Sequence, residues 1–176
     1  MRTQSASPDI DREIELGRHS GSDGSRQYVS FASGAEQYAV DIMSVREIKG
    51  WTEVTGLPNQ PDYVRGVLNL RGAVLPIIDL HRRLGGGFTE TTERHVIVIV
   101  SMGERLIGLL VDAVSDILSV GEGEIQPVPE TSGRDDNRVF SGFLTEQEQM
   151  VAMLDLDRLL LEEALDEAAS DTGALQ

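Results

Sequence analysis

Residues 61–79 read PDYVRGVLNLRGAVLPIID. Two apolar runs in this stretch, Val67–Leu70 and Ala73–Ile78, are separated only by Arg71-Gly72. A two-residue link of that kind predicts a tight antiparallel hairpin. The arrangement recurs where Val96–Met102 and Arg105–Val111 flank Gly103-Glu104, and again where Val139–Leu144 and Met150–Leu156 flank Glu146–Gln149. Parallel neighbours need crossovers of about a dozen residues or more, so short-looped hairpins predict antiparallel sheet. The fold class expected is mainly β, a barrel or a sandwich.

Upstream, Gln27–Ala32 alternates, with Val29 and Phe31 opposing Tyr28, Ser30 and Ala32, and a Gly34 turn leads into Gln37–Ile42. Helical signals are short. Pro61–Arg65 starts with proline and meets Gly66 as a stop. Asp79 is placed to cap Leu80–Leu84, ended by Gly85. Asp157–Ala169 predicts one C-terminal helix, with Leu159, Leu160 and Glu163 at helical spacing. Residues 1–25, rich in Ser, Gly, Asp and Arg, read as a flexible leader. Within it Asp9–Arg18 is either a transient or a docking helix. Residues 166–176 read as a loose tail, leaving 26–165 as the folded domain.

Composition removes several function classes. Of 176 residues 40% are hydrophobic, enough to bury a core and exclude global disorder. No apolar run approaches the roughly 18–20 residues that span a bilayer, and residues 1–25 lack the apolar stretch of a secretory signal. The chain has no cysteine, which removes disulfides, thiolate nucleophiles and zinc-thiolate sites. Thirty acidic residues against 15 basic ones give a net charge of −15. Such a surface repels phosphate backbones and anionic membranes, so neither is an expected partner.

Searches for catalytic constellations find no positive support for an enzyme. His19, His81 and His95 are scattered without the i, i+4 spacing that sets two imidazoles on one helical face, and the last two read as surface histidines. Gly85-Gly86-Gly87 is not followed by the Lys-Ser or Lys-Thr of a phosphate cradle. Asp155 and Asp157 resemble a carboxylate pair for magnesium if the strand continues through them. Asp157 fits better as a helix cap. No G-x-S-x-G elbow occurs. No catalytic, metal or cofactor-binding residue is therefore expected.

Several motifs in order carry a resemblance: Gln37–Ile42, Val45–Ile48, the run Pro61–Asp79 centred on Gly66–Gly72, Gly108–Ser115 and Leu154–Asp157. From Tyr28 to Leu160 the chain resembles the CheW chemotaxis coupling proteins. That resemblance implies two intertwined small SH3-like β-barrels sharing a hydrophobic core, with short connecting helices and a C-terminal helix. The expected junction between barrels lies near 85–93. It implies a cytoplasmic, non-enzymatic adaptor that binds the cytoplasmic tips of methyl-accepting chemoreceptors and the regulatory domain of the CheA histidine kinase. A CheW-like adaptor of a pilus-motility or other chemosensory pathway is the alternative.

By the same resemblance, Val45, Glu47, Arg71 and Ile117 match receptor-binding positions. Val54, Thr55, Arg65, Gly66 and Val74 match kinase-binding positions. The hairpin tip suits Arg71, because a turn displays the guanidinium to a partner's carboxylates or carbonyls. If Val45–Ile48 is regularly extended, Val45 and Glu47 share a face. Val45 then lines a groove, or it belongs to the core. Gly66 is equally a helix stop, and Gly108 matches a glycine where bulk is poorly tolerated. Thr131, followed by the polar run SGRDDN, departs from the large apolar residue that some relatives use in a second kinase contact.

Overall fold

The computed structural model describes residues 24–129 and 139–160. The strands are β1 (Arg26–Ser33), β2 (Glu36–Asp41), β3 (Val45–Gly50), β4 (Val64–Leu70) and β5 (Ala73–Asp79), then β6 (Val96–Met102), β7 (Arg105–Val111), β8 (Ala113–Val120), β9 (Phe140–Glu146) and β10 (Gln149–Leu154). A 3-10 turn at Ile42–Ser44 joins β2 to β3, and the single-turn helix α1 (Leu80–Arg83) follows β5. Two five-stranded sheets result, ordered β8-β1-β2-β10-β9 and β3-β6-β7-β5-β4. Each curls into a small SH3-like barrel, and the expected mainly β fold is what forms.

The hairpins form where the two-residue links fall. Arg71 and Gly72 both take positive φ, as do Gln147 and Glu148 between β9 and β10. That backbone twist matches the right-handed twist of the flanking strands. Alternation then distributes the apolar side chains. Val96, Val98 and Val100 of β6 join Val29, Phe31 and Val40 in a core shared by both sheets. Ile97 and Ile99, on the opposite face of β6, line the interior of the second barrel with Leu68, Leu75, Ile77 and Leu110. Strand β6 is thus buried on both faces, which is why its sequence is a continuous apolar run. The first barrel has its own smaller interior of Ala39, Leu118, Val120, Leu144, Val151 and Met153. Fully burying one such side chain contributes about 1.5–3 kcal/mol. Tyr38 stacks on Phe140 with ring centroids 6.1 Å apart. Burial, reinforced by the Glu36 carboxylate, pushes its hydroxyl above the usual tyrosine range.

Four local expectations change. Pro61–Arg65 is not helical: Pro61 accepts from the Val64 N–H at 3.0 Å in a turn, and β4 begins at Val64. Pairing of Val64 and Gly66 with Ile78 and Ile77 outweighs the local helical signal. Gly66 is accordingly a buried strand residue and no helix stop. The C-terminal helix begins at residue 156, and its cap is Asp155, whose carboxylate accepts from the Arg158 N–H at 3.2 Å. Asp157 is exposed in the first turn, and the carboxylate pair on one strand face does not exist because β10 stops at Leu154. Finally, the chain changes sheet twice, at 42–44 and at Asp112 between β7 and β8. The stretch 85–93 joins elements of one barrel and is no junction between barrels. Asp79 does cap α1, accepting from the Arg82 N–H at 3.3 Å, and Gly85 with φ 93° follows the helix. The leader helix 9–18, Thr131 and helix residues beyond 160 lie outside the described residues.

Candidate functional site

Strands β3 and β4 are the two edges of the second sheet, and Glu47 meets Arg71 where these edges approach. The guanidinium forks over the carboxylate, with Nη1 3.3 Å from Oε2 and Nη2 donating to Oε1 at 3.4 Å. Glu47 is mostly covered, its side chain 20% exposed, while that of Arg71 is 73% exposed. Arg71 holds φ 51° in the turn, a conformation costing a non-glycine residue about 1–2 kcal/mol. Asn69 steadies the turn, its Oδ1 accepting from the Gly72 N–H at 3.0 Å. An arginine sits where asparagine or glycine is less strained. The result is a solvent-facing cation anchored by a carboxylate, fit to receive a partner's acidic or carbonyl oxygens.

Val45 is not part of that surface. A β-bulge skips Arg46: Val45 pairs with Val100 while Glu47 pairs with Ile99. The extra residue turns Val45 and Glu47 to opposite faces. Val45 is 5% exposed in the shared core, and the expectation that it shares a face with Glu47 is corrected. Ile117 lies on the other sheet, on edge strand β8 opposite Val29, and is 38% exposed. The structure therefore joins Glu47 to Arg71, buries Val45, and leaves Ile117 on a separate barrel.

The kinase-matching residues gather along the β4 edge. Thr55 and Val67 exchange backbone hydrogen bonds of 3.0 and 2.8 Å. Gly66, at φ 148°, makes this possible, since a Cβ there would sit 2.3 Å from the Thr55 carbonyl oxygen. Val54 is half-buried against the second barrel's interior. Val74, one strand away on β5 opposite Asn69, is 66% exposed. The Arg65 guanidinium lies 6.0 Å over the Trp51 ring and 3.9 Å from Asp79.

Trp51, Val54, Arg65 and Phe88 border an open depression of about 490 Å³. Phe88 is held at its rim by Arg82, whose guanidinium stacks 4.6 Å over the ring, donates to Gly86 O at 3.1 Å and pairs with Asp62. Asp79, fully buried, binds the same loop: it accepts from Thr89 N at 2.8 Å and Thr89 Oγ1 at 2.6 Å. Sequence reading missed Phe88, 58% exposed, and Met43, 80% exposed in the 3-10 turn. Nothing local marks either one, because their exposure is set by which strands cover their neighbours.

Bulk is excluded at Gly108 by packing. A Cβ there would lie 2.4 Å from Ile77 Cδ1 and 2.8 Å from Ile97 Cγ2. His95 and His81 are not idle surface residues. His95 Nδ1 accepts from the Thr92 N–H at 2.9 Å, which leaves its Nε2, 3.3 Å from Asp112, as the nitrogen that donates. His81 contacts Gly87 O at 3.0 Å and packs against Gly34 and Gly86. Both join segments across the fold. Among the described residues no group of three or more His, Asp or Glu side chains could hold a metal ion, and no helix is long and apolar enough to cross a membrane.

Comparison with known proteins bears on this geometry. A family model for the CheW-like domain matches residues 27–164. The probable chemotaxis protein CheW of Rhizobium etli is 47% identical over 139 residues, covering 79% of this chain and 90% of that protein. The chemotaxis protein CheW of Rhizobium meliloti is 46% identical over 134 residues, covering 76% and 86%. Among solved structures, the scaffolding protein TtCheW from Thermoanaerobacter tengcongensis is similar with a TM-score of 0.72 at 30% identity, over 81% of this chain and 92% of that one.

Proposed function

The chain belongs to the CheW family of chemotaxis scaffold proteins, and on that premise we propose that it is a cytoplasmic, non-enzymatic adaptor coupling chemoreceptors to a CheA-type histidine kinase. The observation that carries the reading is the Glu47–Arg71 pair. A mostly covered carboxylate there holds an exposed guanidinium at the hairpin tip, and the pair presents directed donors outward. The receptor tip docks there. Ile117, on the neighbouring barrel, contributes to coupling at a distance from this pair. The kinase regulatory domain docks on the β4 side of the second sheet, where exposed Val74 and the Val54–Thr55 segment, bridged to Val67 beside Gly66 and Arg65, offer side chains. Receptor state then reaches the kinase through a rigid body held between both partners.

Co-sedimentation with receptor-bearing membranes and purified kinase tests this. Exposed ion pairs contribute only about 0.2–1 kcal/mol to stability, so Glu47→Ala and Arg71→Ala leave the fold intact. Central interface truncations cost about 1–4 kcal/mol. Receptor binding by either variant is therefore expected to fall about fivefold or more while kinase binding holds. Val74→Glu is expected to do the reverse. Unchanged receptor binding by both Glu47→Ala and Arg71→Ala would sink the proposed surface.

A further inference from the structure

The two sheets are two copies of one arrangement with strands exchanged between them. Residues 66–84 read GVLNLRGAVLPIIDLHRRL and residues 142–160 read GFLTEQEQMVAMLDLDRLL, identical at Gly66/Gly142, Leu68/Leu144, Asp79/Asp155, Leu80/Leu156, Arg82/Arg158 and Leu84/Leu160. The geometry repeats with the sequence. β4 is bulged at Arg65 and β9 at Ser141. β3 is bulged at Arg46 and β8 at Ser115. Thr55 bridges Val67 next to Gly66, and Gln126 bridges Phe143 next to Gly142. A Cβ on Gly142 would lie 2.6 Å from the Gln126 carbonyl oxygen, the counterpart of the Gly66 contact. Asp79 and Asp155 cap the corresponding helices.

How the strands divide between these copies decides what each can do alone. Within residues 24–90 the only strand pairings are the hairpins β1–β2 and β4–β5. Within the described residues after 90 they are β6–β7 and β9–β10. Every other pairing crosses between the halves: β1 with β8, β2 with β10, β3 with β6 and β5 with β7. The shared core draws on both halves as well. Polar ties follow the same division. Asp112 Oδ2 accepts from the Gly34 N–H at 2.9 Å, the Asp112 N–H donates to Ala32 O at 2.9 Å, and Trp51 N–H donates to His95 O at 2.9 Å. Arg83 donates to Leu159 O at 3.1 Å. An isolated hairpin is marginal in water, so neither half holds a sheet it can keep unaided.

We propose that the surface between the halves is a complete binding interface, each half being the obligatory partner of the other, so that the peptide link between them is dispensable once the protein is assembled. The connection itself shows where it can be opened. Residues up to Thr89 are tied to the first half through Asp79, and Thr92 is tied to His95 in the second, leaving Glu90 and Thr91 as the link between the two anchored ends.

The test uses the full chain with a protease recognition sequence inserted between Glu90 and Thr91, folded first and then cleaved. The uncut insertion protein is expected to unfold at the midpoint of the native chain. After cleavage, both fragments are expected to elute together at the native size at micromolar concentration. Their urea midpoint becomes concentration-dependent, rising by roughly 0.7 M for each tenfold increase, from about 1.4 kcal/mol per decade and a slope near 2 kcal/mol/M. Separate elution of the fragments, or a midpoint that does not move with concentration, would overturn the proposal.

Discussion

At the scale of single residues, Val45 and Glu47 show how one extra backbone residue redirects chemistry. Spacing placed them together, and the bulge at Arg46 sends Val45 into the core and Glu47 toward Arg71. Val45 and Glu47 substitutions should therefore separate. Val45→Glu buries an unpaired carboxylate, at a cost of several kcal/mol, whereas Glu47→Ala loses only an ion pair whose guanidinium lies in solvent. Urea unfolding of the two variants is expected to show a much lower midpoint for Val45→Glu and one close to native for Glu47→Ala. Equal midpoints would mean that Val45 is not core. Loss of receptor binding in Val45→Glu would consequently be a matter of folding, and only Glu47 and Arg71 report on the proposed surface. The identity of Arg71 was legible from its place in the hairpin; its partner was not, because Glu47 lies 24 residues away and meets it only when the barrel closes.

Among elements, the hairpins were legible and the helical connector at Pro61–Arg65 was not. Period-two alternation and two-residue links are local properties, so β4–β5, β6–β7 and β9–β10 stand where the sequence puts them. Gly66 was misread because a glycine after a proline-initiated turn resembles a helix stop, while its real constraint is a carbonyl 11 residues upstream in sequence. Gly66→Ala forces a positive φ and a contact of 2.3 Å with backbone that cannot rotate away. It is expected to lower stability by about 2–4 kcal/mol. Kinase binding should fall with it, because the Thr55 bridge to β4 loosens. Denaturant unfolding alongside kinase pull-down checks both, and native stability in Gly66→Ala would contradict the close approach.

For the whole molecule, the core shared by both sheets predicts one cooperative unit in place of two barrels that open separately. Trp51, the only tryptophan, reports on the second barrel, while far-UV circular dichroism reports on both. Their urea transitions are expected to coincide, since opening either barrel exposes the core that both sheets share. A tryptophan transition displaced from the circular dichroism transition would show that the barrels unfold independently. Cooperativity of this kind suits the proposed adaptor role, because the proposed contacts at Glu47–Arg71 and Val74 share a single sheet.

The sequence by itself determined the three short-looped hairpins, the two strands ahead of them, the β class and, through ordered motifs, the family. These are local patterns of hydrophobicity and turn chemistry, written where they act. Only the tertiary structure decided which strand accompanies which hairpin, which side of β3 meets the core, and that Glu47 rather than Val45 stands with Arg71. Those outcomes depend on burial shared between segments far apart in sequence, and on single inserted residues that reverse a side chain's face without altering the pattern around it.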